Sequence, residues 1–500
     1  MFKSSVVSGR LMILCFLLVR VGFSQPSVTS FTPEKGAVGT NVVISGSNFN
    51  AVAAKNTVFF GAVSANVVNS SANSITVVVP GGASYKPISV LNEATGLTGY
   101  SAKPFNVTFS NPLSGISSNF YGPKVDFNTS NLPFSVVLGD LNTDGKPDMV
   151  VINQFSASIG VFKNTDNNGN GVGGNINSSS FAPRLEYSTA ENPWFAEICD
   201  VDGDGRPEII VANNGLPSSV SVFHNTGNGN NISFSDKVDF LTGYGPTSVA
   251  VADLDNDGKP ELVTSNRGGS ISILKNKCTP GTINSGSFAA KVDIAASASS
   301  RFIAVGDIDA DGKRDLIVTN ELTNKVSVFH NISTPGRLTT SSFAAKVDFT
   351  VGTNPVLAAL SDIDGDNKPD IIVANAGSNN ISILRNTSSQ GVISGSSFAG
   401  KVDFVSSARP YTIAIADVDG DGKPDIISSN TGVNSNYLSV FKNISTSGVI
   451  NNSSLANRVD FNVGSNPYSL TTGDIDRDGI PEQVLISYNS NKVSILQKSW

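Results

Sequence analysis

Between Tyr121 and Lys498 short apolar runs alternate with polar turns, and the whole alternation recurs at near-regular intervals. One copy shows the unit. Pro410-Tyr-Thr-Ile-Ala-Ile-Ala416 alternates as a strand does, and a polar loop follows it. Ile426-Ile-Ser-Ser-Asn430 and Leu438-Ser-Val-Phe441 are further runs, and a Ser/Asn/Gly-rich stretch leads to Arg458-Val-Asp-Phe461. Val, Ile and Phe runs bounded by Gly, Asn and Ser read as strands. Four strands in a unit of roughly 55 residues is the size of a propeller blade.

The Lys-Val-Asp-Phe type run occurs at 124–127, 184–187, 237–240, 291–294, 346–349, 401–404 and 458–461. The first copy precedes the first full unit, while nothing of this kind follows Val493-Ser-Ile-Leu496. Pairing the spare first strand with the last unit would complete a seventh blade and remove two open sheet edges. The expectation for 121–498 is a seven-bladed β-propeller closed by strand 124–127.

Upstream, Thr40–Ile44, Thr57–Phe60, Ser74–Val79, Pro87–Val90 and Phe105–Phe109 are shorter alternating runs. They predict an immunoglobulin-like β-sandwich over 27–109, joined by a linker at 110–120. The chain is therefore expected to be all-β.

Chemistry concentrates in the polar loop of each repeat. The string Asp-x-Asp-x-Asp-Gly-x-x-Asp/Glu begins at 140, 200, 253, 307, 362, 417 and 474, in steps of 60, 53, 54, 55, 55 and 57. Oxygens fall at positions 1, 3, 5 and 9, with a backbone carbonyl at position 7. The first loop offers Asp140, Asn142, Asp144, Lys146 and Asp148, and the second Asp200, Asp202, Asp204, Arg206 and Glu208. The third offers Asp253, Asp255, Asp257, Lys259 and Glu261, and the fourth Asp307, Asp309, Asp311, Lys313 and Asp315. The fifth has Asp362, Asp364, Asp366, Lys368 and Asp370, the sixth Asp417, Asp419, Asp421, Lys423 and Asp425. The seventh has Asp474, Asp476, Asp478, Ile480 and Glu482.

Hard oxygen donors on a tightly wound loop select Ca²⁺, up to seven ions, one per blade. Solvated turn carboxylates would explain the residue types but not a spacing kept seven times. Asn142 stands at position 3 of the first loop, and Asn367 replaces the Gly at position 6 of the fifth. Asn still offers an oxygen and tolerates a left-handed backbone.

The loops, together with Ser287-Phe-Ala-Ala-Lys-Val-Asp293 and Phe398-Ala-Gly-Lys-Val-Asp403, resemble the FG-GAP/VCBS repeats of integrin α-subunit propellers and exported bacterial proteins. That resemblance implies calcium in the acidic loops, and adhesion, glycan binding or scaffolding as function. Pro33-x-x-Gly36-x-x-Gly39-Thr, Gly46-x-Asn48-Phe49, Phe60-Gly61 and Val79-Pro80 resemble an IPT/TIG domain, which implies the sandwich fold and leaves the ligand open.

Composition narrows the setting. Lys3 and Arg10 before Leu11–Val19, then Gly22 and Ser24, read as a cleaved export signal at 1–24. Its loss removes Lys3, Arg10 and Arg20 and takes the formal net charge from −7 to −10, which argues against a nucleic-acid partner. The mature chain then carries no transmembrane segment and is expected to be secreted or held at a cell surface. Of the 41 Asp and Glu residues, 27 lie in the seven loops, so seven Ca²⁺ would bring the mature charge to +4. Cys199 and Cys278 are expected to be separate rather than bridged.

The repeats disagree six residues before each loop. Phe134, Trp194, Thr247, Arg301, Val356, Tyr411 and Tyr468 stand there, at the end of the unit away from the acidic loops. Aromatics and Arg dominate binding hot spots, so Phe134, Trp194, Arg301, Tyr411 and Tyr468 are candidate contacts for a glycan or an extracellular protein. The alternative is that they pack on one another as a plug. Asn213, Asn266, Asn320, Asn375 and Asn430 recur after the second run and read as turn formers.

Catalysis has little support. His224 and His330 occupy the same place in different repeats, which suits packing or edge hydrogen bonding rather than an acid–base pair. The expectation is a calcium-stabilised binding or adhesion protein. A polysaccharide lyase or hydrolase acting at the propeller mouth and a non-catalytic scaffold are the alternatives.

Overall fold

A computed structural model describes residues 24–109, 115–166, 175–432, 436–464 and 466–499. The expected export signal lies, but for Ser24, outside the described residues. Among them no helix is long and apolar enough to cross a membrane.

Residues 27–107 form two four-stranded sheets face to face. One orders Ser27–Thr32, Asn41–Ser47, Ser74–Val78 and Val67–Ser70, the other Val63–Ala65, Asn56–Phe60, Pro87–Asn92 and Leu97–Pro104. Alternation puts Val42, Ile44, Ile75 and Val77 of the first sheet against Val58, Phe60, Ile88 and Val90 of the second, all but fully buried. Phe105 closes this core edge-on to Phe60 at 5.2 Å. The expected strand at 105–109 shrinks to Asn106–Val107, which pairs in parallel with Lys35–Gly36.

Beyond it stand seven four-stranded antiparallel sheets. Sheets 1 to 7 begin with Pro133–Gly139, Pro193–Cys199, Pro246–Ala252, Ser300–Gly306, Pro355–Ser361, Pro410–Ala416 and Pro467–Gly473. In sheets 1 to 6 all four strands follow in chain order. In sheet 7 the fourth strand is Val125–Asn128, which pairs with Lys492–Leu496 in the register Val125↔Ile495 and Phe127↔Val493. Each first strand packs on the first strand of the next sheet, and that of sheet 7 packs on that of sheet 1.

Burial explains the sequence of each strand. The second strand is covered on both faces by neighbouring sheets, so Glu208–Asn213 and Asp370–Asn375 are buried at every position, with four consecutive apolar residues between the terminal carboxylate and Asn. The fourth strand is the outer edge and alternates, with Phe240, Phe349 and Phe404 inward. Its Lys and Asp guard the edge against pairing with another chain. Ile116 and Phe120, expected in a linker, pack into the core between sheets 6 and 7. Repeated four-stranded sheets behind an Ig-like sandwich make an all-β architecture of propeller/Ig type.

Candidate functional site

Each acidic string links the first strand of a sheet to the second and winds into a tight coil. The backbone N–H at position 6 donates to Oδ2 of the position 1 Asp in all seven loops, at 2.8–3.0 Å. The N–H at position 7, that of Lys146, Arg206, Lys259, Lys313, Lys368, Lys423 or Ile480, donates to the position 5 Asp at 2.7–3.0 Å. The N–H at position 2 donates to the position 9 carboxylate at 2.8–3.0 Å.

Position 6 is left-handed throughout, and Asn367 adopts φ 71° where the other loops use Gly. Position 4 is left-handed as well, and Thr143, Ala310 and Arg477 accept that geometry without being Gly.

The coil gathers carboxylates that ordinary chemistry would keep apart. Groups such as Asp200/Asp202/Asp204, Asp253/Asp255/Glu261 and Asp307/Asp309/Asp315 bring one oxygen apiece within 4.8 Å of each other. Burial, and then the neighbouring carboxylates, push Asp148, Asp315 and Asp370 up to about 8, although backbone N–H groups pull the other way. Asp140, Asp253 and Asp417 are raised to about 6 for the same reasons. Glu208, Glu261, Asp425 and Glu482 are raised further. Asp202 Oδ2, Asp255 Oδ1, Asp474 Oδ1 and both oxygens of Asp309 are buried without a hydrogen-bond partner. Unpaired buried oxygens and carboxylates that resist ionising are what a cation cures. Several of these clusters can hold a divalent ion.

A second repeated residue ties the loops to each other. Asn164, Asn225, Asn276, Asn331, Asn386 and Asn443 follow the third strands and are all but fully buried. Each backbone N–H donates to the position 9 carboxylate of its own sheet. Each Nδ2 donates to the position 2 carbonyl of the preceding loop at 2.7–2.9 Å: Asn225 to Leu141, Asn276 to Val201, Asn331 to Leu254, Asn386 to Ile308, Asn443 to Ile363. Asn164 of sheet 1 reaches Ile475 of sheet 7 at 2.9 Å. Sequence reasoning missed these clamps, although Val222-Phe223-His224-Asn225 recurs as Val328-Phe329-His330-Asn331.

The sandwich sits on this acidic end. Gln25 Nε2 donates to Asp253 Oδ2 at 2.6 Å, Ser64 Oγ to Asp140 Oδ2 at 3.4 Å, and the Gly82 N–H to Asp474 Oδ2 at 3.4 Å. Thr98 N–H meets the Gly258 carbonyl at 2.9 Å, and Asn106 Nδ2 the Gly422 carbonyl at 3.1 Å. Lys103 reaches Asn367 and Arg314 reaches the Ser101 carbonyl, both at 2.8 Å. Arg314 holds position 8, which is Pro in the other six loops. Gly82 (φ 87°) permits the approach, since a Cβ there would lie 2.5 Å from Pro147. Between the sandwich and the first strands lies a cavity of about 1610 Å³, where Glu197 pairs with Lys86 at 2.7 Å.

The far end differs. Phe134 contacts Trp194 at 5.0 Å and Tyr468 at 5.3 Å, and Tyr468 contacts Tyr411 at 4.6 Å. Arg301 lies over Trp194 at 4.6 Å and hydrogen-bonds the Tyr411 hydroxyl. The five candidate contacts are thus brought together, but they spend much of their surface on one another. Thr247 and Val356 are buried beside them. Among the described residues of the repeat region the most exposed large apolar side chains are Phe155, Leu216, Leu241, Tyr244, Leu322 and Val405, each at least 62% accessible. They sit at strand ends and turns away from the acidic loops.

Asn213, Asn266, Asn320, Asn375 and Asn430 do more than form turns, although the Asn266 and Asn320 carbonyls do accept turn hydrogen bonds from the Gly269 and Asn324 N–H groups. Each ends a second strand, fully buried, and donates to a third-strand Ser, as Asn266 does to Ser272 at 2.9 Å. That Ser donates to the fourth-strand Asp, here Asp293 at 2.6 Å, which pairs with Lys291. The Lys-Val-Asp-Phe run is therefore the outer end of a polar relay across the sheet. Cys199 and Cys278 are both free.

An FG-GAP-like repeat model matches residues 200–264, 307–373 and 362–428, and the IPT/TIG domain model matches 26–119. No curated protein matches the sequence. Among solved structures, an auxiliary nutrient binding protein from Bacteroides thetaiotaomicron is 11% identical, with 95% of this chain and 98% of that chain covered and a TM-score of 0.40. One from Bacteroides ovatus is 11% identical over 95% and 99%, at 0.38. A chain of a humanized mutant of the Chaetomium thermophilum Polycomb Repressive Complex 2 is 10% identical over 76% and 98%, at 0.49. An FG-GAP-like repeat region behind an N-terminal IPT/TIG domain is present in this chain, a pairing consistent with an integrin-α-like propeller preceded by an Ig-like module.

Proposed function

We propose that the protein is a secreted or surface-held binding protein, whose seven sheets are the blades of a closed ring fastened by calcium at the acidic loops. Packing of sheet 7 on sheet 1 and the Asn164–Ile475 clamp support closure. Oxygen-only donor sets in most loops favour Ca²⁺ over softer ions. No reacting group is assigned, and the role is recognition rather than turnover.

The observation that carries the reading is the division of the two ends. The sandwich covers the acidic end, and the most exposed apolar side chains of the repeats lie at the end of the sheets that also carries the aromatic plug. Exposed apolar side chains at the same end as an aromatic/Arg cluster suit an extracellular protein or the apolar face of a glycan.

The test is a calcium-replete screen against glycans and extracellular proteins, repeated with Phe155→Ser/Tyr244→Ser. The expected result is a partner whose binding weakens at least ~10-fold in the double variant, the effect of losing one or two hot spots. A partner bound equally by both proteins would remove the assignment of this face. Finding none would remove the binding role.

A further inference from the structure

Five sheets place a nitrogen-bearing side chain over loop positions 3 and 5, from the residue just before the clamp asparagine. In sheets 3, 5 and 6 it is a permanent cation. Lys275 pairs with Asp255 and Asp257, Arg385 with Asp364 and Asp366 at 2.6 and 2.9 Å, and Lys442 with Asp419 and Asp421. In sheets 2 and 4 it is an imidazole. His224 Nε2 lies 3.3 Å from Asp202 Oδ2 and 4.0 Å from Asp204 Oδ2. His330 Nε2 lies 3.1 Å from Asp309 Oδ2 and 3.6 Å from Asp311 Oδ2.

The two classes differ in what they leave unsatisfied. Arg385 and the lysines donate hydrogen bonds to their carboxylates. Neither histidine Nε2 has a hydrogen-bond partner, and both are buried. The atoms they face are in the same condition: Asp202 Oδ2 and both oxygens of Asp309 are unpartnered, on side chains with no exposed surface. A buried unpaired donor or acceptor costs about 1–3 kcal/mol, so several converging on one space mark a missing partner.

The donor set says which partner. A neutral imidazole nitrogen ligates metals, whereas Lys and Arg cannot. Asp202/Glu208/His224 and Asp309/Asp311/His330 each place three ligand atoms within 4.8 Å of one another. Bonds of about 2.0 Å in a tetrahedron separate ligand atoms by about 3.3 Å. The imidazole-to-carboxylate separations within the two clusters lie close to that value, 3.3 Å to Asp202 in sheet 2 and 3.1 and 3.6 Å to Asp309 and Asp311 in sheet 4, while Asp204 at 4.0 Å stands outside the sheet 2 cluster. Ca²⁺ takes six to eight oxygens at longer range and gains little from nitrogen.

We propose that the loops of sheets 2 and 4 are mixed nitrogen–oxygen sites for a transition-metal dication of the Zn²⁺ class. This rests on reading the acidic loops as cation sites. It divides them into two chemistries, oxygen-only and histidine-bearing, along the one position where the repeats exchange His for Lys or Arg.

The experiment uses the full chain, stripped with chelator and then dialysed against Zn²⁺ in excess Ca²⁺. The expected result is two Zn²⁺ retained per chain, one for each histidine-bearing cluster. His224→Lys and His330→Lys import the residue that sheets 3 and 6 carry, and each is expected to lose one equivalent, with zinc affinity at that loop down at least ~10-fold. His224→Gln and His330→Gln, matching Gln497 of sheet 7, serve if the lysine variants do not fold. Zinc retention unchanged in the variants, or none in the unsubstituted chain, overturns the proposal. Failure of the calcium reading shows separately, as a melting temperature that Ca²⁺ does not move while zinc still binds.

Discussion

The two ends of the sheets were built under opposite constraints. At the acidic end one loop geometry is repeated, clamped to its neighbour by a buried asparagine and covered by the sandwich. At the far end the equivalent positions range from Thr247 to Trp194, and the surrounding turns expose Phe155, Leu216 and Leu322. On the proposed reading, repetition marks the end that holds the molecule together and divergence the end that meets a partner.

Removing bound cations should separate the ends most strongly. A site occupied at 100 times its Kd contributes about 2.7 kcal/mol. Several such sites together are expected to raise the melting temperature by more than ~10 °C, read by calorimetry with and without EGTA. An unchanged melt would refute cation fastening.

A single clamp comes next. Asn331→Ala leaves the buried Arg314 carbonyl and Ser333 N–H without their side-chain partner, while the Leu254 carbonyl keeps only the Ser333 hydroxyl, and is expected to cost about 2–4 kcal/mol in denaturant unfolding. A cost under ~1 kcal/mol would show that the clamp bears little of the sheet-to-sheet contact.

Protons provide a subtler lever. Burial pushes the Asp148, Asp315 and Asp370 carboxyls up to about 8 in the folded chain without metal, against ~4 when unfolded. The folded state therefore holds protons that the unfolded state has released across that window. Stability is greatest below the unfolded value and falls as pH rises through the folded one. The EGTA-treated chain should melt higher at pH 5 than at pH 8, and the reverse order would contradict the assignment. The smallest effect belongs to the far end: Phe155→Ser should shift stability by no more than ~0.5 kcal/mol, because the side chain is 73% exposed.

The sequence disclosed the ends unequally, for physical reasons. Strand alternation and the Asp spacing are local, so the four-stranded units and the loop positions could be read directly from residues such as Asp253, Gly258 and Glu261. The clamps could not, because Asn276 acts on Val201, a carbonyl in another repeat. Asn266 does open a turn, its carbonyl taking the Gly269 N–H, but its buried side chain holds Ser272, a further task that residue type alone does not announce. Nor could alternation reveal that the sandwich would lie across the acidic loops. Gln25, Ser64 and Gly82 are unremarkable until tertiary contact places them on Asp253, Asp140 and Asp474.

Hydrogen exchange with and without chelator tests the division between the ends most directly. Cation removal is predicted to lower protection at the Gly145, Gly258 and Gly312 amides of the loops and at Thr98 of the sandwich docked on them. Protection at the far-end Ala376 and Thr431 amides should stay as it was. Equal loss at both ends, or loss confined to the far end, would contradict the account.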